Sequence, residues 1–515
     1  MTLFCSSEPI IMINLAQVIL FYIFAPIISY QTMEELFIGR EKEQNEIAEY
    51  LDSNRSEFIA IYGRRRVGKT YFIRKTTAKN ACFSMTGMDN VTMNEQLMNF
   101  DLALRKKMPW DTSRSKNWLE AFYRLANYLE SLPEGKKIIV IDELPWMDTP
   151  KSMFISALEH FWNDWASARN DIKLIVCGSA TSWMINKLIN NRGGLHNRVT
   201  HQIQLLPFTL KECQAYFEAY GFGYEKLEIA ECYMIMGGIP FYFSFMKPEL
   251  SVAQNINKLF FSEGAELKNE FSNLYKSLFK QSDDHIKIVE ALASKTKGLT
   301  RQELLKSAKV TNNGNTTTIL QELESCGFIR HYEPFTTKRK QSNVRNNRVS
   351  TNTLYQLIDF YTSFYFNIIQ KNIYKDNQFW ISCQNSPLHN AWSGYAFEML
   401  CLTHSQQIKK ALEIGGIQSM VCSWIGSTEE GNAQIDLLID RADKTINLCE
   451  IKYSEDEYVI TKDNEKEWIR KTRIFREATK TKKSIMFTLL TSCGIKANQY
   501  SGRIQKQVTV DELFQ

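Results

Sequence analysis

The segment GRRRVGKT, running from Gly63 to Thr70, constrains this chain more than any other, because it lies directly after the apolar run Phe58–Tyr62 and leads into a helical pattern that starts near Lys69. Strand, glycine-rich turn and helix in that order form a phosphate-holding loop, in which the loop N–H groups and the free N–H groups of the first helical turn point at one anion-sized cavity. Lys69 can then reach the outer phosphate oxygens, and Thr70 can offer a hydroxyl to Mg²⁺. The candidate nucleotide contacts are therefore Gly63, Arg64, Arg65, Arg66, Val67, Gly68, Lys69, Thr70 and Tyr71, and the implied ligands are ATP and magnesium.

Two further apolar runs end in chemistry-bearing residues. Ile138–Ile141 leads into Asp142 and Glu143, and Leu174–Cys177 leads into Gly178 and Ser179. Three buried strands separated by helical segments predict a parallel α/β sheet with these residues at its strand tips. There Asp142 can hold Mg²⁺ through water, and Glu143 can polarise the attacking water. An Asp-Glu pair also opens many helices, so the preceding strand carries this assignment. Ser179 is placed either to sense the γ-phosphate or to cap the next helix.

Together FIGREKE at 37–43, YGRRRVGKT, IDELPWM and GGIPFYF resemble the archaeal-type ATPases of the STAND branch of AAA-like P-loop proteins, over residues 37 to about 250. The resemblance places Gly39, Arg40 and Glu41 by the adenine end of the nucleotide. It also implies that Gly238 to Pro240 couple the nucleotide to a helical domain. Arg198 resembles a position that supplies an arginine to phosphate, in cis or from a neighbouring copy; a surface arginine explains the same residue without function.

At 515 residues the chain is too long for one core, and its patterns divide it into successive units. An apolar N-terminal segment fills 1–33, a P-loop ATPase domain 34–206 and a helical subdomain 207–284. Residues 285–350 have the order of a winged helix: IVEALAS, TRQELLKSA and NTTTILQELESCGFI, then a polar loop after Tyr332. A mostly helical, aromatic connector occupies 351–392, and an α/β unit fills 393–515. The expected fold class is thus α/β, a P-loop parallel sheet with a helical subdomain, a winged helix and a restriction-nuclease-like C-terminal domain.

The C-terminal unit offers a second chemical site. AQIDLLID carries Asp436 and INLCEIKY carries Glu450 and Lys452, in two β-rich segments joined by a charged turn at Asp443 and Lys444. With side chains alternating along a strand, Glu450 and Lys452 share one face, and Asp436 at the start of the partner strand can approach them. Magnesium binds through one or two carboxylates with waters, and a lysine beside it can help deprotonate a water that attacks phosphorus. Glu398 on a preceding helix would complete the metal set, and Gln434 would contact metal-bound water or substrate. A solvated hairpin also produces such charges. The pattern resembles the PD-(D/E)XK nuclease-like domain attached to many ATPases of this group, with Glu398, Asp436, Glu450 and Lys452 matching; such domains also persist as binding modules.

Charge and cysteine usage narrow the setting. The net charge of +5 is too small to imply a nucleic-acid partner by itself, so a DNA contact has to rest on a local cluster. Lys338, Arg339, Lys340, Arg345 and Arg348 form one without an acid, in the place of a wing, where they would lie on DNA phosphates or serve as a solvated loop of a domain clamp. Eleven cysteines without a CxxC pair argue against a zinc site or a disulfide scaffold and fit a reducing cytosol. Ile10–Tyr30 is uncharged and long enough to cross a bilayer, but it lacks a basic flank. A start at Met33, a membrane anchor and a buried helix all remain open for it. The expectation is an ATP-driven switch, with homo-oligomers possible, coupled to a nuclease-like effector that acts on or binds DNA. The alternative is a scaffold whose C-terminal unit only binds a partner.

Overall fold

The computed structural model describes residues 36–77, 80–191, 193–195, 197–279, 281–295, 297–335 and 352–515. The apolar run 10–30 and the basic cluster 338–348 lie outside the described residues. Contacts gather Gly39–Gln515 into one unit.

Five parallel strands form the first sheet: β1 (Glu57–Tyr62), β2 (Ala81–Thr86), β3 (Lys137–Asp142), β4 (Ile172–Gly178) and β5 (His201–Gln204), in the order β2-β3-β4-β1-β5. β3 and β4 are buried along their whole length, as continuous apolar strands covered on both faces must be. Helix α1 (Glu41–Asp52) precedes β1, and α2 (Lys69–Thr77) follows the glycine turn. α3 (Met93–Arg105) and α4 (Trp118–Glu130) pack Phe100, Trp118 and Phe122 into the core that contains Phe58, Ile139 and Leu174. Because β4 lies between β1 and β3, its tip falls between the phosphate loop and the end of β3.

Helices α5 (Leu210–Ala219), α6 (Lys226–Met236) and α7 (Glu270–Leu278) follow. Next come α8 (Asp283–Ala293), β6 (Leu299–Thr300), α9 (Arg301–Ala308), α10 (Gly314–Ser325), β7 (Ile329–Tyr332) and β8 (Leu354–Leu357), whose strands pair antiparallel in the order β6-β8-β7. This corrects the connector at its start, since Leu354–Leu357 is not helical: all four residues are buried and complete the small sheet. α11 (Phe360–Asn367) comes next, followed by α12 (Pro387–Thr403). α12 runs straight through the expected boundary at 392 and puts Trp392 and Glu398 on one helix, with Pro387 in its first turn and Ser386 capping its N-terminus.

The last sheet contains β9 (Ser419–Thr428), β10 (Gly431–Arg441), β11 (Thr445–Lys452), β13 (Ser484–Thr491) and β15 (Lys506–Val508) in the order β15-β13-β11-β10-β9. β12 (Tyr458–Val459) and β14 (Ile495–Lys496) pair beside it. Helix α13 (Lys462–Thr479) sets Ile474 and Phe475 against Trp424, Leu438 and Leu448. Among the described residues, no helix is long and apolar enough to cross a membrane, and no cysteine is in a disulfide.

Candidate functional site

The phosphate loop leaves β1 at Gly63, whose φ of 149° and whose Cβ position, 2.2 Å from the Leu205 carbonyl oxygen, admit only glycine. Gly68 has φ 91° with open space around it, and α2 starts at the next residue. Lys69 is 6 % exposed, and its Nζ donates to the carbonyls of Gly63 at 2.9 Å and Arg64 at 3.0 Å. Its hydrogen-bond partners among the described residues are neutral oxygens and it makes no ion pair there, so a buried ammonium is left for an anion to pair with.

Asp142, Glu143 and Ser179 stand at the tips of β3 and β4, beside Thr70 of α2. Thr70 Oγ1 donates to Asp142 Oδ2 at 2.7 Å, and the Glu143 N–H donates to Asp142 Oδ1 at 2.9 Å. Glu143 takes a left-handed backbone with φ 48°, uncommon outside glycine, and its Oε2 accepts from both the N–H (3.1 Å) and the hydroxyl (2.9 Å) of Ser179. Ser179 therefore holds Glu143 and does not cap the following helix, whose N-terminus has no side-chain cap. One hydroxyl and one carboxylate, Thr70 and Asp142, are a donor set that fits magnesium, which takes one or two carboxylates together with water and phosphate oxygens.

The GRE turn closes the other side of the loop. Arg40, with φ 64°, donates its N–H to Glu212 Oε1 at 2.8 Å and its Nη2 to the Val67 carbonyl at 3.2 Å, and its guanidinium lies 4.9 Å from the Phe208 ring. A Cβ on Gly39 would come within 2.9 Å of Glu212, which explains the glycine there. Glu41 begins α1, and half-buried Tyr71 lies on α2. Pro240 begins the short turn Pro240–Phe243, while Gly238 accepts from the Phe208 N–H at 2.7 Å. Glu212 was readable as the third residue after Thr209 in a capping box.

The loop arginines do not gather round the phosphate cavity. Arg64 is paired with buried Asp359, and Arg66 Nε lies 2.7 Å from Glu270 Oε1, while Arg65 is half-buried. Acids from distant helices hold the Arg64 and Arg66 side chains, so what these residues offer a phosphate is their backbone N–H groups. Arg198 sits exposed in the turn before β5 and makes no ion pair among the described residues.

Residues 37–244 match the family model described as an ATPase domain predominantly from Archaea. This segment is an archaeal-type ATPase domain. An uncharacterised protein of Methanocaldococcus jannaschii is 25 % identical over 422 residues, 82 % of this chain and 88 % of that protein, so the likeness runs well past the ATPase domain. Among solved structures, a Walker-type ATPase of Pyrococcus abyssi is 17 % identical with a TM-score of 0.44, covering 64 % of this chain and 96 % of its own. The ORC2 protein of Aeropyrum pernix is 13 % identical with a TM-score of 0.39, covering 66 % and 96 %.

The C-terminal carboxylates lie beyond the ATPase domain. β10 and β11 pair through Leu437–Cys449, so Asp436 falls one step further, across from Glu450. Asp436 is also within the irregularity where β10 shifts register against β9, between Ile435 and Leu438. It lies in mid-strand, not at a strand start, because β10 begins at Gly431 and pairs with β9, a strand the sequence pattern did not reveal. Glu450 Oε1 is 2.9 Å from Lys452 Nζ, and its Oε2 accepts from Lys471 Nζ of α13, also at 2.9 Å. Gln434 donates to Asp436 Oδ1.

Burial, and then neighbouring Asp436, pushes the Glu398 carboxyl well above its usual range; burial and then Glu450 raise Asp436. Burial works to lower the Lys452 ammonium, but Glu450 outweighs it and the group is raised. Glu398, Asp436, Glu450 and Lys452 thus share one electrostatic neighbourhood. Among the described residues, no three acidic, histidine or cysteine side chains are grouped to hold a metal ion by themselves. A magnesium site here would draw on Asp436 and Glu450, with waters and substrate oxygens filling the remaining positions. Tyr332 from β7 accepts from Ser423 Oγ at 3.1 Å, and the Phe335 N–H donates to the Ser423 carbonyl at 2.8 Å, which fastens the small sheet to β9.

Proposed function

We propose that the chain is an ATP-binding, magnesium-dependent ATPase switch whose nucleotide state acts, through a winged helix, on a PD-(D/E)XK nuclease-like C-terminal domain directed at DNA. The observation that carries it is the buried Lys69, bonded to loop carbonyls alone, beside the Thr70–Asp142 and Glu143–Ser179 pairs. The loop N–H groups and Lys69 hold the phosphates, and Arg40 steadies the adenine side. Thr70 and Asp142 would hold magnesium, which when bound neutralises charge developing on the phosphate oxygens. Glu143, aimed by Ser179, orients water in line with the terminal phosphorus and accepts its proton. Exposed Arg198 fits a supply from a neighbouring copy better than one in cis, which makes a homo-oligomer part of the proposal. Labelled ATP with Mg²⁺ should bind the parent and release phosphate; Lys69→Ala should abolish both, and equal uptake by the two proteins would refute the reading.

The helix, strand and sheet order of α8 to β8 supports the winged helix, with the basic 338–348 segment as its wing. Charge reversal at Lys338 to Lys340 should weaken DNA binding across a salt titration if the wing rests on phosphates. In the C-terminal unit, Asp436 and Glu450 support metal-dependent cleavage, with Glu398 and Lys452 beside them. One observation favours a unit that only binds a partner: lysines occupy both Glu450 oxygens. Plasmid nicking with Mg²⁺ or Mn²⁺ and ATP separates the two, because a cleaving domain should lose nicking in the Asp436→Ala, Glu450→Ala double variant.

A further inference from the structure

Arg64 and Arg66 belong to the phosphate loop by sequence, yet their guanidinium groups are engaged elsewhere. Arg64 pairs with Asp359, 295 residues further along the chain; the two side chains are 6 % and 0 % exposed. The Arg64 guanidinium also lies 5.0 Å from the Phe328 ring, while its Nε and Nη2 find no acceptor among the described residues. Asp359 is itself a helix cap, since its Oδ1 accepts from the Thr362 N–H at 2.7 Å and so fixes the start of α11. Arg66 repeats the arrangement with the first residue of α7. Glu270 Oε1 is 2.7 Å from Arg66 Nε and accepts from Tyr242 OH at 2.8 Å, and Tyr242 belongs to the turn begun by Pro240. Phe241 of the same turn lies 4.0 Å from the Arg66 guanidinium.

Such pairs respond strongly to the loss or displacement of one partner, because the remaining charge is stranded in a low-dielectric interior. The backbone of Arg64 is also under two constraints at once: its carbonyl accepts from Lys69, and its guanidinium is pinned by Asp359. A triphosphate that draws Lys69 away releases the first constraint and leaves the second. We infer that Asp359 and Glu270 are positioning residues of the phosphate loop, acting through Arg64 and Arg66, and that they couple nucleotide occupancy to α11 and α7. α11 carries the effect onward, since Phe364 packs at 5.4 Å against Trp392 of α12, the helix that bears Glu398. The inference rests on the ATP-binding reading and adds two residues that no phosphate-loop motif contains.

The test measures ATP affinity and turnover in the presence of Mg²⁺ for the full chain and for Asp359→Asn, Asp359→Glu, Glu270→Gln, Arg64→Gln and the Arg64→Gln, Asp359→Asn pair. Asp359→Asn, Arg64→Gln and Glu270→Gln should each change the Kd for ATP by roughly fivefold or more, the usual scale of a coupling between sites. The double variant should be no worse than the more affected single variant, and Asp359→Glu should recover part of the loss. Melting temperatures that fall while all Kd values stay equal would reduce the acids to structural clamps and overturn the inference alone. A parent that takes up no ATP would overturn the ATP reading and the inference with it. Where a variant does not fold, hydrogen exchange on the parent decides: added ATP and Mg²⁺ should alter exchange in α11 and α7, and identical exchange there would overturn the coupling.

Discussion

Ser179 donates its backbone N–H and its hydroxyl to the same oxygen of Glu143, at 3.1 and 2.9 Å, and so fixes the carboxylate of a residue whose own backbone is left-handed. Two donors thus converge on one carboxylate oxygen at the mouth of the phosphate loop. If Glu143 handles the attacking water, Glu143→Gln should keep ATP binding within about threefold and lower phosphate release by about 10²- to 10⁴-fold, the range of a general base. Ser179→Ala retains the N–H bond and loses the hydroxyl, so its defect should be smaller, up to about 10²-fold, and confined to turnover. Steady-state phosphate release together with equilibrium ATP binding separates these effects.

The carboxylates of the C-terminal unit should make stability depend on both pH and divalent ions. Burial and Glu450 raise Asp436, so its ionised form is disfavoured in the folded chain. The stability its neutral form contributes is complete below the ordinary aspartate range and is lost as pH rises through the elevated folded value. Asp436→Asn should remove that alkaline loss and raise the melting temperature of the metal-free protein. Added Mn²⁺ at about a hundredfold over its dissociation constant should stabilise the parent by about 2.7 kcal/mol, and the Asn variant much less. Thermal melts with and without chelator, taken from the ordinary aspartate range upward to neutral and mildly alkaline pH, would reveal both signs.

Gly238 and Gly221 both have left-handed backbones, with φ 67° and 78°, yet their surroundings differ. A Cβ at Gly238 would meet the Phe208 carbonyl oxygen at 2.3 Å and Tyr233 Cε2 at 2.7 Å, whereas one at Gly221 meets nothing within 4 Å. Gly221→Ala should therefore cost only the backbone term, about 1 kcal/mol. Gly238→Ala should cost more, about 3 kcal/mol or above, and should disturb nucleotide affinity as well, because Phe208 also lies under Arg40. Equal losses in denaturant melts would show that the crowding is relieved cheaply.

The phosphate loop, its strand and the tips of β3 and β4 were legible because long apolar runs followed by Gly-rich or acidic residues leave little choice of structure. β2 (ACFSMT) and β5 (HQIQ) were not, since both are sheet edges: β2 mixes Ser84 and Thr86 into a short apolar run, and β5 has Ile203 as its one apolar residue. The motif located Arg64 and Arg66 in the chain but could not say where their side chains point, and nothing local marks Asp359 or Glu270 as their partners. Lys471 was hidden for a different reason. It lies on α13, whose dense charge reads as a solvated face until the helix is packed on the sheet. Asp436 and Glu450 were readable as a facing pair, because β-pairing in a hairpin follows from its turn, while the displacement of Asp436 into an irregular mid-strand position required β9.

His404 gives an acid-side prediction independent of both sites. It ends α12 with its Nδ1 2.9 Å from the Leu400 carbonyl and its ring edge-on to Tyr233 of α6, with centroids 5.2 Å apart. Burial lowers its pKa to about 4 from the usual 6.5. Between those values the unfolded chain binds a proton that the folded chain refuses, so the stability from neutral His404 is full above pH 6.5 and drains away as pH falls towards 4. At 1.36 kcal/mol per unit, the loss by pH 4 is about 3 kcal/mol. His404→Asn keeps an N–H donor near Leu400 and has no proton to bind, so its melting temperature should fall less between pH 7 and about 4.5 than that of the parent. Parallel acid slopes for the two proteins would place the acid sensitivity in other groups and leave His404 as a packing residue between α6 and α12.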